Sequence, residues 1–280
     1  MPEGLVAIAA FLLGACVGSF LNVVIYRLPN GLSIVSPRSH CPSCGNPIPA
    51  WLNVPLLSWL ILRGRCHVCK APISVRYLLV ELVTALLWLA AVRTFGFSLA
   101  SLATIVLASG LVAITFIDLD IWEIPDEISL PGILIGGLLR PFAFGAPWYD
   151  GVLAAGLGAA FLAFVRWLFL RFRGVEGMGL GDVKLIAMIG AFLGLKALLP
   201  VLLVSSVVGS TLGLVLMTAR SAEEVPEPPP SGLGDDAWTP PERAIPFGPF
   251  LTLGALFHVF FGPAFLHWLE SFPSPLSRLL

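Results

Sequence analysis

The sequence predicts an all-α polytopic membrane protein, with about eight transmembrane helices and a zinc-binding loop between the first two. Three observations predict it. The mean hydropathy of the 280 residues is +0.92 and only 12% are charged, against about 25% in soluble domains. Apolar runs of membrane-spanning length recur along the chain, beginning with residues 4–26, which carry no charge. A hydrocarbon core about 30 Å thick takes about 20 helical residues. Four of the five cysteines stand as two CxxC pairs in one polar loop. A soluble core of this size has no room for so much apolar surface, and a net charge of −1 offers no basic field for a nucleic-acid partner.

The spans follow from apolar length, helix breakers and flanking charge. The first covers about 4–26; Glu3 is the only charged side chain before it and it is longer than a signal-peptide core, so it is read as a helix that stays. A Pro- and Cys-rich loop follows, about 27–76. Further spans are expected at about 77–93, 97–117, 127–145, 150–170, 183–198, 199–219 and 247–268. Between the last two, residues 221–242 are acidic and hold six prolines, Pro226, Pro228, Pro229, Pro230, Pro240 and Pro241; this segment is expected to be a flexible loop. The chain thus divides into a first transmembrane helix (1–26), a four-cysteine loop (27–76) and a transmembrane core (77–280). No internal repeat of the soluble type is visible.

Eight spans place both termini on one side. Arg27, Arg38, Arg63, Arg65, Lys70, Arg76, Arg166, Arg171, Arg173, Lys184, Arg220 and Arg243 flank one face, 12 of the 16 basic residues; Arg93, Arg140, Lys196 and Arg278 flank the other. The excess of Lys and Arg marks the cytoplasmic face, so the termini are expected outside. The cysteine loop and every candidate functional group then fall on the cytoplasmic side of an inner membrane.

Cys41-Pro-Ser-Cys44 and Cys66-His-Val-Cys69 are separated by 21 residues. Two such knuckles supply four thiolates, enough to close a tetrahedral shell around a structural zinc. Two disulfides would need an oxidising compartment, and the charge count puts the loop in the reducing cytosol. A closed shell has no open position for water, so this zinc is expected to organise the loop without taking part in chemistry. His40 and His67 are read as bystanders, and Cys16 as helix packing.

Phe116-Ile117-Asp118-Leu119-Asp120 closes the third span, Ile124-Pro125-Asp126 opens the fourth, and Gly177-Met178-Gly179-Leu180-Gly181-Asp182-Val183-Lys184 opens the sixth. Carboxylates at membrane depth are costly and usually face a cavity or the bundle interior. Two close carboxylates share one proton: the ionised one can take a proton from water while the other hydrogen-bonds a scissile carbonyl. That is the chemistry of aspartyl hydrolysis, needing no metal. Capping a helix start would also account for Asp182, but it explains Asp118 poorly, because a helix C-terminus disfavours negative charge. Asp120, Glu123 and Glu127 are read as interfacial charges and Asp126 as a cap. Gly179 and Gly181 allow backbone or substrate to approach closely. Lys184 either neutralises a neighbouring carboxylate or reaches for the interface. Glu81 is read as the partner of Arg76.

In order along nearly the whole chain, the motifs Gly18-Ser-Phe-Leu-Asn-Val-Val-Ile-Tyr-Arg-Leu-Pro29, the paired CxxC knuckles, Arg76-Tyr77 with Glu81, Asp118 with Ile124-Pro125-Asp126, Gly179-Leu-Gly-Asp182-Val-Lys184 and Ile245-Pro-Phe-Gly-Pro249 resemble the type IV prepilin peptidase family, within the intramembrane aspartyl proteases that carry a GxGD motif. The resemblance implies that Asp118 and Asp182 are the catalytic pair. It implies substrates that are type IV prepilins or type II secretion pseudopilins, cut after a glycine at the cytoplasmic face. Members with the cysteine loop commonly also N-methylate the new N-terminus with S-adenosylmethionine; Gly18, Asn22 and Arg27 are family positions, Asn22 and Arg27 equally suit helix packing or headgroup anchoring, and no residue is assigned to the methyl donor. The competing readings are a membrane methyltransferase without protease activity, a scaffold of a secretion machine, and a transporter. The transporter would need several ionisable groups at mid-span, where His258 is the main one. The oligomeric state is not legible.

Overall fold

The computed structural model describes residues 3–174, 178–219 and 245–271, so the acidic loop at 221–242 and Gly177 lie outside the described residues. Within them the chain is helical, with no strands. In order come α1 (Glu3–Arg27), a single 3-10 turn (Ala50–Leu52), α2 (Leu57–Ile61), α3 (Val75–Phe95), α4 (Leu99–Ile121), α5 (Asp126–Phe144), α6 (Trp148–Arg173), α7 (Leu180–Leu193), α8 (Leu195–Ala219) and α9 (Gly248–Glu270). All eight expected spans are helices. Seven of them, α1, α3, α4, α5, α6, α8 and α9, are long and apolar enough to cross a membrane. The exception is the helix expected at 183–198. It is α7, with 14 residues, about 21 Å at 1.5 Å per residue.

The chain forms two compact units, and the divisions fall within α4 and α5 and just before α6. The first comprises 1–116 and 141–146, the second 117–140 and 147–280. In the first unit α1 lies close against α3 because small residues line the seam. A Cβ at Gly18 would stand 2.6 Å from the Glu81 Cα, and one at Gly14 2.8 Å from the Trp88 Cβ. Lipid gives no hydrophobic drive between helices, so such close backbone approach supplies the packing energy. Polar side chains add specificity: Asn22 Nδ2 donates to the Tyr77 carbonyl (3.1 Å) and Trp88 Nε1 to Ser109 Oγ (3.0 Å). Arg76 stacks on the Phe116 ring at 5.1 Å and donates to the Phe116 carbonyl.

In the second unit the core is α7. Leu185, Ile186, Met188 and Ile189 are fully buried, set against glycines of the neighbouring helices: Gly132 and Gly136 of α5 at Met188 and Phe192, and Gly158 of α6 at Ile186. A helix sheathed by other helices does not need the length that lipid contact demands. It ends at Gly194, with φ +78. There Arg140 Nη1 donates to the Phe192 carbonyl (2.9 Å) and Nε to Asp150 Oδ2 (2.6 Å), while Asp150 Oδ1 accepts the Leu195 amide (3.4 Å). The pair thus serves the open ends of both α7 and α8, whose backbone groups find no water in a bilayer. α8 and α9 meet at Ser205, whose hydroxyl lies 2.9 Å from the Phe250 carbonyl.

Candidate active site and metal centre

Asp118 stands near the end of α4 and Asp182 in the first turn of α7, and both are buried, 5% and 7% exposed. They share one neighbourhood. Asp182 lies within electrostatic reach of Asp118, with the Gly179 backbone amide close enough to act on its carboxyl. Gly181, adjacent to Asp182, touches Ile124: a Cβ there would sit 2.8 Å from the Ile124 Cβ. A Cβ on Gly248 would overlap Asp118 Oδ2 and lie 3.4 Å from Ile124 Cδ1. The first residue of α9 therefore closes the group, and its amide donates to Asp118 Oδ2 at 3.0 Å. That amide also lies at the positive end of the α9 dipole, compensating Asp118 for its position at the negative end of α4. Gly179 and Gly181 were expected to permit close approach. Gly181 does so against Ile124, and a Cβ on Gly179 would meet Asp182 Oδ2 only at 4.0 Å.

The remaining carboxylates separate from this pair. Asp120, Glu123 and Glu127 are exposed, as the interfacial reading expects. Asp126 opens α5 and accepts Lys184 Nζ at 2.5 Å, so of the two roles considered for Lys184 the structure shows charge pairing. Glu81 departs from the expectation that it pairs with Arg76. Its buried carboxylate accepts the Leu56 amide at 2.7 Å, because the loop folds back onto α3 and brings an unpaired N–H to it. Arg27 donates to the Ser33 and Pro37 carbonyls at 2.9 and 2.7 Å, tying down the start of the same loop.

Sequence reasoning named the Ile245-Pro-Phe-Gly-Pro249 segment without giving it a contact. Its bond to Asp118 spans 130 residues, and no local pattern carries that information. The roles of Ile124, Arg140 and Asp150 were missed for the same reason.

The cysteine loop, 28–74, brings its four thiols together. The Sγ atoms of Cys41, Cys44, Cys66 and Cys69 all lie within 4.8 Å of one another, with Cys41 and Cys66 buried, and Cys41 Sγ is 3.8 Å from Cys69 Sγ. None of the five cysteines is disulfide-bonded. A tetrahedral zinc with Zn–S of about 2.3 Å sets its sulfurs about 3.8 Å apart, so this donor set fits such an ion. His40, His67 and Cys16 stand outside the cluster.

Both knuckles are built alike. Cys41 donates its amide to Asn46 O and accepts from the Gly45 N–H; Cys66 does the same with Ala71 O and the Lys70 N–H. Antiparallel bridges join His40 to Pro47 and Arg65 to Pro72. Gly45 and Lys70, at equivalent places, both take positive φ, 68 and 61. This is a short internal repeat, legible in Cys-Pro-Ser-Cys-Gly-Asn-Pro-Ile and Cys-His-Val-Cys-Lys-Ala-Pro-Ile, and too brief for a search at whole-helix scale. The turn amides of Cys44 and Ser43 pull the Cys41 thiol down to about 6. At Cys69 the Ala71 amide pulls the same way, but burial and the three neighbouring thiols outweigh it and push the group up to about 11.

Residues 12–95, which include all four clustered cysteines, match the bacterial peptidase A24 N-terminal domain. Residues 105–214, which include both buried aspartates, match the type IV leader peptidase family. Full-length relatives agree. The prepilin leader peptidase/N-methyltransferase of Myxococcus xanthus is 38% identical over 99% of this chain and 95% of its own length.

The chain belongs to the type IV leader peptidase family.

Proteins of the same name from Aeromonas hydrophila and Burkholderia pseudomallei are 41% and 38% identical, covering 92% and 95% of this chain and 91% and 88% of their own. No solved structure matches the chain. In this member of the family, the boundary between the two matched regions falls near the start of α4.

Proposed function

We propose that this chain cleaves the leader peptide of type IV prepilins or type II secretion pseudopilins after a glycine, with Asp118 and Asp182 as catalytic pair, and then N-methylates the new N-terminus. The observation that carries the proposal is the burial of two carboxylates in one neighbourhood, in a chain whose other acidic residues at the same helix ends are exposed. Two acids held this close share one proton. The ionised carboxylate takes a proton from water as the water oxygen attacks the scissile carbonyl. The protonated carboxylate gives its proton to the carbonyl oxygen, leaving a neutral gem-diol. As the gem-diol collapses, one hydroxyl proton returns to a carboxylate, the other carboxylate's proton passes to the departing nitrogen, and the C–N bond breaks. The Gly248 amide holds Asp118 throughout.

The enzyme sits in the inner membrane with the aspartates and the cysteine loop cytoplasmic, as the distribution of lysine and arginine supports. Cys41, Cys44, Cys66 and Cys69 hold a structural zinc, which would fix the loop and supply no open coordination site. S-adenosylmethionine would supply an electrophilic methyl group. No glycine-rich nucleoside cradle stands out among the described residues, and no side chain is assigned to it.

The test is cleavage of a purified prepilin with a Gly-Phe junction by wild type, Asp118→Asn, Asp182→Asn and Asp120→Asn. Loss of cleavage in the first two variants at normal expression, with activity kept in Asp120→Asn, is the expected result. Full cleavage by Asp118→Asn and Asp182→Asn would remove the protease assignment and leave a methyltransferase or a scaffold as the better account.

A further inference from the structure

The short helix α2 carries its apolar residues on the wrong side for a soluble module. Leu57, Leu60 and Ile61 are 57%, 56% and 75% exposed. Spaced i, i+3 and i+4, they form one stripe. The opposite side is committed to the protein: Trp59 packs on Gly64 and its Nε1 donates to the Ile73 carbonyl at 3.3 Å. Just before the helix, Trp51 in the 3-10 turn is exposed as well.

Two hydrogen bonds set the depth at which this stripe lies. The Leu56 amide, at the start of α2, is 2.7 Å from Glu81 Oε2. Glu81 stands six residues into α3, which begins at Val75, or about 9 Å along its axis. The Trp59 side chain reaches Ile73, two residues before α3 begins. α2 therefore runs back beside the opening turns of a membrane-spanning helix. Interfacial helices bury their apolar face at about this level, roughly 5–10 Å into the boundary between headgroups and acyl chains. The chain leaving α2 carries Arg63, Arg65 and Lys70, all exposed, matched in charge to anionic headgroups.

We propose that α2 is an interfacial anchor that lays the cysteine loop on the bilayer, with Leu57, Leu60 and Ile61 in the acyl boundary and Arg63, Arg65 and Lys70 among anionic headgroups. The occupant of this face is lipid. The loop would then be held at a fixed height, clamped to α3 through Glu81 on one side and seated on lipid on the other.

The experiment uses the full chain, reconstituted in vesicles of phosphatidylethanolamine and phosphatidylglycerol, with a photoreactive benzophenone residue at Leu60 or Ile61. The same residue at Leu86, exposed on α3, serves as reference for a lipid-facing position. The expected result is a phospholipid adduct at Leu60 and at Ile61 in yield comparable to Leu86. Both positions are exposed and have room for the probe, and either one alone gives the readout. Adducts to added prepilin or to a second copy of the chain in place of lipid would overturn the proposal. So would the absence of lipid adducts at both positions while Leu86 gives them. None of these outcomes depends on cleavage activity.

Discussion

Replacing Gly248 with alanine tests the reasoning about the active site most directly. The added Cβ would overlap Asp118 Oδ2 and lie 3.2 Å from its Cγ, with Ile124 Cδ1 at 3.4 Å. The overlapped atom is the tip of a rotatable side chain, so the carboxylate swings aside at little cost to the fold. What is lost is the 3.0 Å bond from the Gly248 amide and, with it, the orientation of Asp118. A hydrogen bond to a charged acceptor is worth about 1.5–3 kcal/mol. If that stabilisation is absent in the transition state, kcat/KM falls by about 10- to 150-fold. The assay is prepilin cleavage alongside thermal unfolding in detergent, with Asp118→Asn as reference. A Gly248→Ala enzyme that cleaves within about two-fold of wild type, beside an inactive Asp118→Asn, would refute the claim that this amide positions the carboxylate. A double variant separates positioning from simple packing. In an Asp118→Ala background the new methyl has space, so Gly248→Ala should change the unfolding temperature less there than in the wild type.

Two further outcomes are expected. The Arg140–Asp150 pair is 2.5 Å apart with side chains 13% and 18% exposed, so Arg140→Ala, which leaves a part-buried carboxylate uncompensated, should cost about 2 kcal/mol, between an exposed and a fully buried pair; Lys184→Ala, breaking a pair 35% and 51% exposed, should cost less than about 1 kcal/mol, both measured by denaturation in detergent. In metal-stripped protein the lowered Cys41 thiol loses its proton as pH rises through about 6 and the raised Cys69 thiol only near 11, so thiolate absorbance should already be present at neutral pH and grow in separated steps; a single step near the ordinary thiol value would contradict the turn-amide account.

How much was legible in advance differs from element to element. Residues 4–26 and 97–117 announce themselves as spans through uncharged length alone. The span expected at 183–198 is instead the shorter α7, Leu180–Leu193, because its length is set by what surrounds it: glycines 132, 136 and 158 let α5 and α6 close around its bulky side chains, and a sheathed helix need not match the bilayer. The cysteine cluster was legible because a CxxC turn is local and chelation needs only two such turns. The pairing of Glu81 was misread because Arg76 is its neighbour in sequence, whereas the carboxylate turns to an amide 25 residues earlier.

By itself, then, the sequence determined the membrane solvent, the helical class, the two thiol knuckles and the candidate aspartates. Each follows from composition or from spacings of a few residues, which the chain carries wherever it folds. Only the tertiary structure decided that Asp118 and Asp182 share a buried neighbourhood, that the Gly248 amide from 130 residues away holds one of them, and that Arg140 and Asp150 close the ends of α7 and α8. Those are contacts between helix ends, and the position of a helix end depends on how side chains interlock along the whole length of its neighbours.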